Sequence, residues 1–267
     1  MNLDTAKFAR LGRPKRLWAV AAAHSQVDRL MALHDVIGER YEPGERLIYL
    51  GNMIGVGAQV CETVEELLQF RRALLALPGM LADDIVYLRG AQEEMWQKLL
   101  QLQFAPNPTE VLTWMLAQGV DATLAGYGGR AREGMGAARE GAIQLTRWTN
   151  SLREAMRSMP GHTSLFAALK RAAFTDEPGL LAVSAGLDTS RPLAAQGDSF
   201  WWATGRFAEI AGPYETFVRM IRGFDPAGGG VQVGEFTATL DAGCGRGGPL
   251  VAGLFEPDGT LADLIEA

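Results

Sequence analysis

Three apolar segments of strand length alternate with two amphipathic stretches in the first third of the chain. The apolar segments are residues 17–23, 47–50 and 85–88, and residues 27–38 and 62–76 between them carry apolar side chains at helical spacing. This β-α-β-α-β order is typical of a parallel sheet with right-handed crossovers. The sequence therefore predicts an α/β fold class.

A short segment rich in glycine or alanine follows each apolar segment. These segments are A-A-A-H-S at 21–25, G-N-M-I-G-V-G at 51–57 and G-A-Q-E at 90–93. Functional groups of parallel α/β sheets collect just beyond the carboxyl ends of the strands. We therefore expect these three segments to form one candidate site.

The rest of the chain predicts one domain over residues 1–267 with no internal repeat or linker. Residues 1–15 form a basic lead-in tail, and a helical insertion covers about 92–175, with a turn-rich link at 119–129 and a short helix at 164–173. Strands then resume at 180–183, 217–221, 231–240 and 249–255.

Composition narrows the classes of partner. The net charge is −6 and the pI about 5.2, which argues against a general nucleic-acid binder. No apolar run reaches the roughly 18 residues that a membrane span needs. The basic tail before residues 17–23 imitates a signal peptide with an A-x-A site, but we interpret residues 17–23 as a strand.

Cys61 and Cys244 have no metal-ligand spacing, which favours free thiols in the cytoplasm and leaves a bridge between them as the alternative.

The three short segments resemble the calcineurin-like metallophosphoesterases, in which they read G-D-x-H-G, G-D-x-x-D-R-G and G-N-H-E. Later segments resemble the family in the same order over roughly residues 16–256: T-L-A-G-Y-G at 123–128, V-S-A-G-L-D at 183–188, P-L-A-A-Q at 192–196, I-R-G-F-D-P at 221–226 and D-A-G at 241–243. The T-L-A-G-Y-G segment is similar to the branch of bacterial serine/threonine phosphatases and diadenosine tetraphosphate hydrolases. This resemblance implies a four-layer α/β/β/α sandwich of two mixed sheets.

The resemblance also implies a two-metal site in active relatives, where the ions clamp phosphate and activate a bridging water. His24 is the only family ligand that is unchanged. The other ligand positions hold side chains without an ionic donor: Ala22, Asn52, Ala91, Ser184 and Phe224. Gln92 replaces the acid histidine, Gly55 the aspartate that orients it, and Val56 the phosphate-binding arginine. We therefore predict no metal, no cofactor and no catalytic residue.

Three of these residues can retain a binding role. His24 is either a hydrogen-bonded relic at a strand end or a ligand contact, and Asn52 is suited to brace its turn. Arg222 can hold an anion or form an ion pair with Asp225 or Asp188.

Other residues in the pattern have structural interpretations. Glu93 is predicted to support the loops, and Trp201 and Trp202 to belong to the core rather than to a ligand platform. His162, after Pro160 and Gly161, is predicted to be exposed.

Three functional hypotheses follow. The leading one is an inactive phosphatase homologue that regulates a protein partner through binding, with no nucleic acid and no membrane involved. A phosphoesterase with a rebuilt site and a structural assembly subunit are the alternatives, and the oligomeric state is left open.

Overall fold

The computed structural model describes residues 3–202 and 207–267. Its strands are β1 (Phe8–Arg10), β2 (Leu17–Val20), β3 (Arg46–Tyr49), β4 (Ile85–Tyr87), β5 (Ala172–Phe174), β6 (Gly179–Val183), β7 (Phe217–Arg222), β8 (Gln232–Val233), β9 (Thr237–Thr239), β10 (Val251–Phe255) and β11 (Leu261–Glu266). Its α-helices are α1 (Val27–Arg40), α2 (Val60–Leu75), α3 (Ala91–Leu99), α4 (Pro108–Met115), α5 (Asp121–Gly126), α6 (Ala131–Glu140), α7 (Ala142–Ser158), α8 (His162–Ala168) and α9 (Ser199–Trp202). Leu116–Val120 forms a π-helical turn, and short 3-10 turns cover Ala82–Asp84, Leu102–Phe104, Leu193–Ala195, Phe207–Glu209 and Cys244–Arg246.

The first sheet contains the predicted parallel strands. Its order is β11-β10-β2-β3-β4, with β2, β3 and β4 parallel and β10 antiparallel to both β2 and β11. Apolar side chains of α1 and α2 pack into the same core as these strands. Since β2 is central and covered, all four of its residues are buried.

The second sheet has the order β1-β5-β6-β7-β9-β8. Strands β6, β7 and β9 are parallel to one another, and β1 is parallel to β5. Strand β5 runs antiparallel to β6, and β8 runs antiparallel to β9. Ala182 and Ile221 of this sheet share a core with Ala19 and Ile48 of the first sheet. A second cluster on the far side packs Phe200 and other aromatic residues against β6 and β7. The predicted α/β sandwich of two mixed sheets is therefore confirmed.

The insertion is helical as predicted, with differences in detail. The stretch at 119–129 is largely helical, because α5 begins directly after a kink at Gly119, where φ is 90°. The short helix predicted at 164–173 ends at Ala168, and residues 172–174 form β5. Among the described residues, no helix combines the length and the apolar content that crossing a bilayer requires. Cys61 and Cys244 are both free and buried.

The basic lead-in tail needs correction. Residues 8–10 are not a solvated tail but strand β1, which pairs in parallel register with β5 from Phe8↔Ala172 to Arg10↔Phe174. The apolar side chains of Phe8 and Leu11 are buried, and this burial holds the segment against the second sheet. The first two residues of the expected tail lie outside the described part of the chain.

Candidate functional site

The carboxyl ends of six parallel strands converge on one pocket of about 360 Å³. Strands β2, β3 and β4 contribute the three short segments identified in the sequence, and β6, β7 and β9 contribute the segments after Val183, Arg222 and Thr239. The position agrees with the general rule for sites of parallel α/β sheets. A larger cavity of about 500 Å³ lies between the edges at β1 and β4 and contains none of the predicted site residues.

Backbone hydrogen bonds connect the first two short segments directly. The N–H of His24 donates to the carbonyl of Asn52 at 2.9 Å, and the N–H of Ser25 donates to Met53 at 2.9 Å. The N–H of Gly57 in turn donates to the carbonyl of His24 at 3.1 Å. The two loops therefore form a single folded unit.

Left-handed backbone conformations bring these loops close together. His24, Asn52 and Val56 have φ values of 47°, 51° and 62°, which side-chain-bearing residues adopt only at a cost. Gly51 has φ +84°, and a Cβ there would lie 2.6 Å from the backbone nitrogen of Gly90. The close approach of the second and third segments therefore requires glycine.

Glu93 organises this half of the site as predicted. Its buried carboxylate accepts backbone N–H groups from Asn52 at 2.9 Å, Met53 at 2.8 Å, Ile54 at 3.2 Å and Gly90 at 2.8 Å. Burial raises the pKa of this carboxyl, and the backbone donors act in the opposite direction. A carboxylate with four main-chain donors serves the architecture of the loops rather than a reaction.

His24 is a neutral, enclosed imidazole. Burial lowers its pKa to about 4, with Asp241 raising it and Arg246 lowering it by smaller amounts. The Phe224 ring lies edge-on to the imidazole with centroids 5.4 Å apart, and the backbone of Gly245 approaches the ring from another side. The Nδ1 atom has no hydrogen-bond partner within the described residues.

Asn52 and Gln92 each use one end of their amides. Asn52 Oδ1 accepts the backbone N–H of Gln92 at 3.0 Å, and Gln92 Nε2 donates to the carbonyl of Gln118 at 2.8 Å. The other two amide atoms, Asn52 Nδ2 and Gln92 Oε1, are buried and lack a partner in the part of the chain described. Asn52 thus braces the loop and also retains an unused donor.

The remaining predicted positions also fall at or beside the pocket. Ala22 is buried, and its N–H donates to the carbonyl of Gly223 at 3.1 Å. Ala91 opens α3 and Val56 lines the rim, while Gly55 lies against the Gln92 side chain.

Ser184 joins this group from the second sheet. Its carbonyl accepts the N–H groups of Gly223 and Phe224 at 3.1 and 3.0 Å. Its buried hydroxyl lacks a partner within 3–202 and 207–267.

Arg222 forms the ion pair rather than the open anion site. Its Nη2 lies 3.2 Å from Asp225 Oδ2, its Nε donates to Thr239 Oγ1 at 2.8 Å and its Nη1 donates to Ala185 O at 3.3 Å. Burial lowers the pKa of Arg222, and the nearby carboxylates oppose this shift. Asp188 instead pairs with Arg191 at 3.2 Å.

Asp241 and Arg246 form a second pair that the sequence analysis did not single out. Asp241 Oδ2 accepts from Arg246 Nη2 at 3.0 Å and from the N–H of Asp225 at 2.9 Å, while Oδ1 accepts from Gly243 at 2.8 Å. Arg246 is partly exposed and lies over the Phe224 ring at 5.9 Å. The D-A-G match at 241–243 was the available signal.

The structure also gives the positions of two tryptophans and two further histidines. Trp201 is buried as expected, but Trp201 and Trp202 also line the pocket, and Trp202 packs edge-on against Trp114 at 5.4 Å. His162 is not exposed: it is fully buried and its Nδ1 lies 2.8 Å from the Tyr127 hydroxyl. His34, on α1, contacts Glu66 and Tyr49 in the core rather than the pocket.

The side chains present do not fit a pair of divalent cations. Divalent metals of this kind need several carboxylate or imidazole ligands. At the pocket the carboxylate of Asp241 is already occupied by Arg246 and two backbone donors, and His24 is packed against Phe224. Across residues 3–202 and 207–267, no group of three histidine, cysteine or acidic side chains is arranged to hold a metal.

Comparison with known proteins gives structural similarity only. Neither a family model nor a curated protein matches the sequence. A crystal structure described provisionally as a diadenosine tetraphosphatase is similar over 98% of this chain and 97% of its own, with a TM-score of 0.55 and 15% identity. A cold-active protein-tyrosine phosphatase from a psychrophilic Shewanella is similar over 100% of this chain and 85% of its own (TM-score 0.52, 12% identity). A protein serine/threonine phosphatase from Saccharomyces cerevisiae is similar over 97% and 82% (TM-score 0.50, 14% identity).

These similarities extend over nearly the whole chain and through both sheets. At such low identity they establish the fold and leave the chemistry to the residues themselves. The chain has the fold of the calcineurin-like metallophosphoesterases.

Proposed function

We propose that this protein is a phosphatase-fold protein that does not hydrolyse phosphoesters through two metals and acts by binding. The observation that carries the proposal is that charged side chains around the pocket are already bonded to other groups of the protein. Glu93 is bonded to four backbone N–H groups, Arg222 pairs with Asp225, and Arg246 pairs with Asp241. A two-metal hydrolase needs carboxylates that are free to offset the charge of its metals.

The insertion supports a protein as the partner. Phe104, Trp114 and Ile143, all in its helical segments, are 80%, 45% and 71% exposed. The turn at Leu102–Phe104 packs beside both α4 and α7, which carry Trp114 and Ile143, and a contiguous exposed apolar patch is typical of a surface that contacts another protein. Regulation of that partner is the leading form of the hypothesis.

A combined activity and metal assay tests the proposal. The purified protein is incubated with an aryl phosphate and an aryl phosphodiester at millimolar Mn²⁺, and its bound metal is measured by mass spectrometry. We expect turnover at the background level and less than one bound metal per chain. A His24→Asn variant, with a residue tolerant of positive φ, is the matched control.

Metal-dependent turnover that elutes with the protein and is lost in His24→Asn would instead establish a hydrolase with a rebuilt site. For the partner, a Phe104→Ser/Ile143→Ser double variant should lose at least half of any specific co-purifying protein while retaining its own melting temperature. A protein that only assembles with itself, as judged from its mass in solution, would favour the structural-subunit alternative.

A further inference from the structure

The pocket has aromatic and aliphatic walls. Trp202 and Phe224 line it, and Val56, Met95 and Pro226 complete the apolar lining. A volume of about 360 Å³ lies within the range of pockets that enclose small molecules. Aromatic walls of this kind favour a flat ring, which stacks on or packs edge-on against them.

Residues that line the pocket also carry unused hydrogen-bonding atoms. Asn52 Nδ2 is a donor, Gln92 Oε1 is an acceptor, and His24 Nδ1 belongs to a neutral ring; all three are buried without a partner among the residues described. Buried polar atoms of this kind destabilise a protein unless something bonds to them. A donor and an acceptor together match a group that offers both.

The charge at the pocket is balanced. Arg246 is the cationic side chain among the described lining residues, and its Nη2 lies 3.0 Å from Asp241 Oδ2. The carboxylate and the guanidinium offset each other, so an anionic ligand gains little net attraction. An ionised ligand group beside the amides of Asn52 and Gln92 would also lose its hydration without gaining a counter-ion.

We propose that this pocket binds a small aromatic carboxamide, with the ring between Trp202 and Phe224 and the amide near Asn52 and Gln92. The carboxamide oxygen would accept from Asn52 Nδ2, and its NH₂ group would donate to Gln92 Oε1. This inference rests on the proposed function, because two metals would occupy the same volume.

Binding of two isosteric probes tests the inference. Benzamide and benzoate have the same shape, and benzoate replaces the amide by a carboxylate. Isothermal titration at pH 7 should give a Kd for benzamide of about 1 mM or below, as expected for a ligand with few atoms. Benzoate should bind at least about tenfold more weakly, because its charge is not compensated.

Variants locate the binding site. Phe224→Ala should weaken benzamide binding at least about fivefold through loss of the stacking wall. Trp202→Ala should have the same effect and serves if Phe224→Ala does not fold. Leu81→Ala, at an exposed position outside the pocket, is the matched control and should leave the Kd unchanged.

The outcomes separate this inference from the proposed function. Benzoate binding as tight as benzamide would overturn the inference and assign an anion site to Arg246. Absence of binding by both probes would also overturn the inference, and the pocket would then hold only water. Failure of the proposed function would appear independently, as metal-dependent turnover in the phosphatase assay.

Discussion

The two halves of the site hold their polar and charged side chains in different ways. In the first half, built by the segments after β2, β3 and β4, the polar groups bond to the backbone, as Glu93 does. In the second half, after β7 and β9, charged side chains bond to each other, as in Arg222–Asp225 and Arg246–Asp241. One half keeps the loop architecture of the fold; the other neutralises its charges in pairs.

This difference shows which parts of such a site belong to the fold. The backbone bonds to Glu93 hold loops that connect the strands to their helices, so they belong to the architecture of the fold. The ion pairs balance local charge, and their arginines differ in burial, since Arg222 is buried and Arg246 is half-exposed. The following predictions test the distinction in order of decreasing effect.

Glu93→Ala should be the most damaging change. Four backbone N–H groups lose their acceptor, and since each unsatisfied buried donor costs about 1–3 kcal/mol, we expect a loss of about 4 kcal/mol or more. Urea unfolding measures the loss. Glu154→Ala, at an exposed position on α7, should stay within about 0.5 kcal/mol. A loss below about 1 kcal/mol for Glu93→Ala would remove the distinction between the halves.

Arg222→Met should cost about 3 kcal/mol. The substitution leaves the buried carboxylate of Asp225 without its cation, and breaking one partner of a buried pair typically costs about this much. Arg246→Met removes a half-exposed partner instead and should cost about 1 kcal/mol or less. Equal losses in urea melts would contradict the assignment of Arg222 as the structural member of this half.

Ala22→Asp restores a carboxylate in the first half and should destabilise the protein by about 2 kcal/mol at pH 7. Ala22 is buried, so the new carboxylate would lose most of its hydration. The neutral isostere Ala22→Asn should cost less, which separates charge from volume. Recovery of the melting temperature of Ala22→Asp in millimolar Mn²⁺ would show that the site still accepts a metal.

Lowering the pH should destabilise the protein through the protonation of His24. Its pKa is lowered from 6.5 to about 4, so the unfolded chain binds the proton more readily between these values. Stability is therefore complete above pH 6.5 and falls with decreasing pH, by about 1.5 kcal/mol from His24 alone between pH 7 and pH 5. Burial also lowers the pKa values of His34 and His162, and these two residues contribute equally in the wild type and in His24→Asn. The difference between the pH profiles of the two proteins therefore isolates the contribution of His24. Identical pH profiles would contradict the buried neutral imidazole.

A chelator should have the smallest effect. Since residues 3–202 and 207–267 hold no ligand set for a divalent ion, EDTA or millimolar Mn²⁺ should shift the melting temperature by less than about 1 °C. The measurement is a thermal melt after exhaustive dialysis. A drop of several degrees with EDTA would reveal a bound structural ion and refute the absence of a metal site.

The sequence was sufficient for the three parallel strands of the first sheet and for the place where their carboxyl ends meet. Residues 17–23, 47–50 and 85–88 are apolar runs bounded by turn signals, and their ends necessarily meet at one edge. Strand β11 (Leu261–Glu266) was missed because Asp263 and Glu266 interrupt its apolar pattern. Strands β1 and β5 were missed because each has three residues and, unlike β4 within 85–88, does not lie in a longer apolar run. Their pairing depends on a partner far away in the chain.

The side-chain contacts at the site could not be read from spacing. The edge-on packing of Phe224 on His24, the Asp241–Arg246 pair and the burial of His162 by Tyr127 all join residues from different elements. The sequence predicted which positions differ from the family's ligand and catalytic residues. It did not identify how the replacements bond to one another, because that depends on distances set by the whole fold.

The topology of the first sheet has a consequence for synthesis of the protein. Strand β2 lies at its centre, yet one of its neighbours is β10, with Leu17 opposite Phe255. A ribosome therefore completes the β2–β4 unit long before the strand that covers the free edge of β2 emerges. Contacts of such high sequence separation fold slowly, and an open apolar strand edge invites association with other chains. We expect nascent chains that are stalled before β10 to aggregate or to engage a chaperone, and release of the last twenty residues to end that vulnerability.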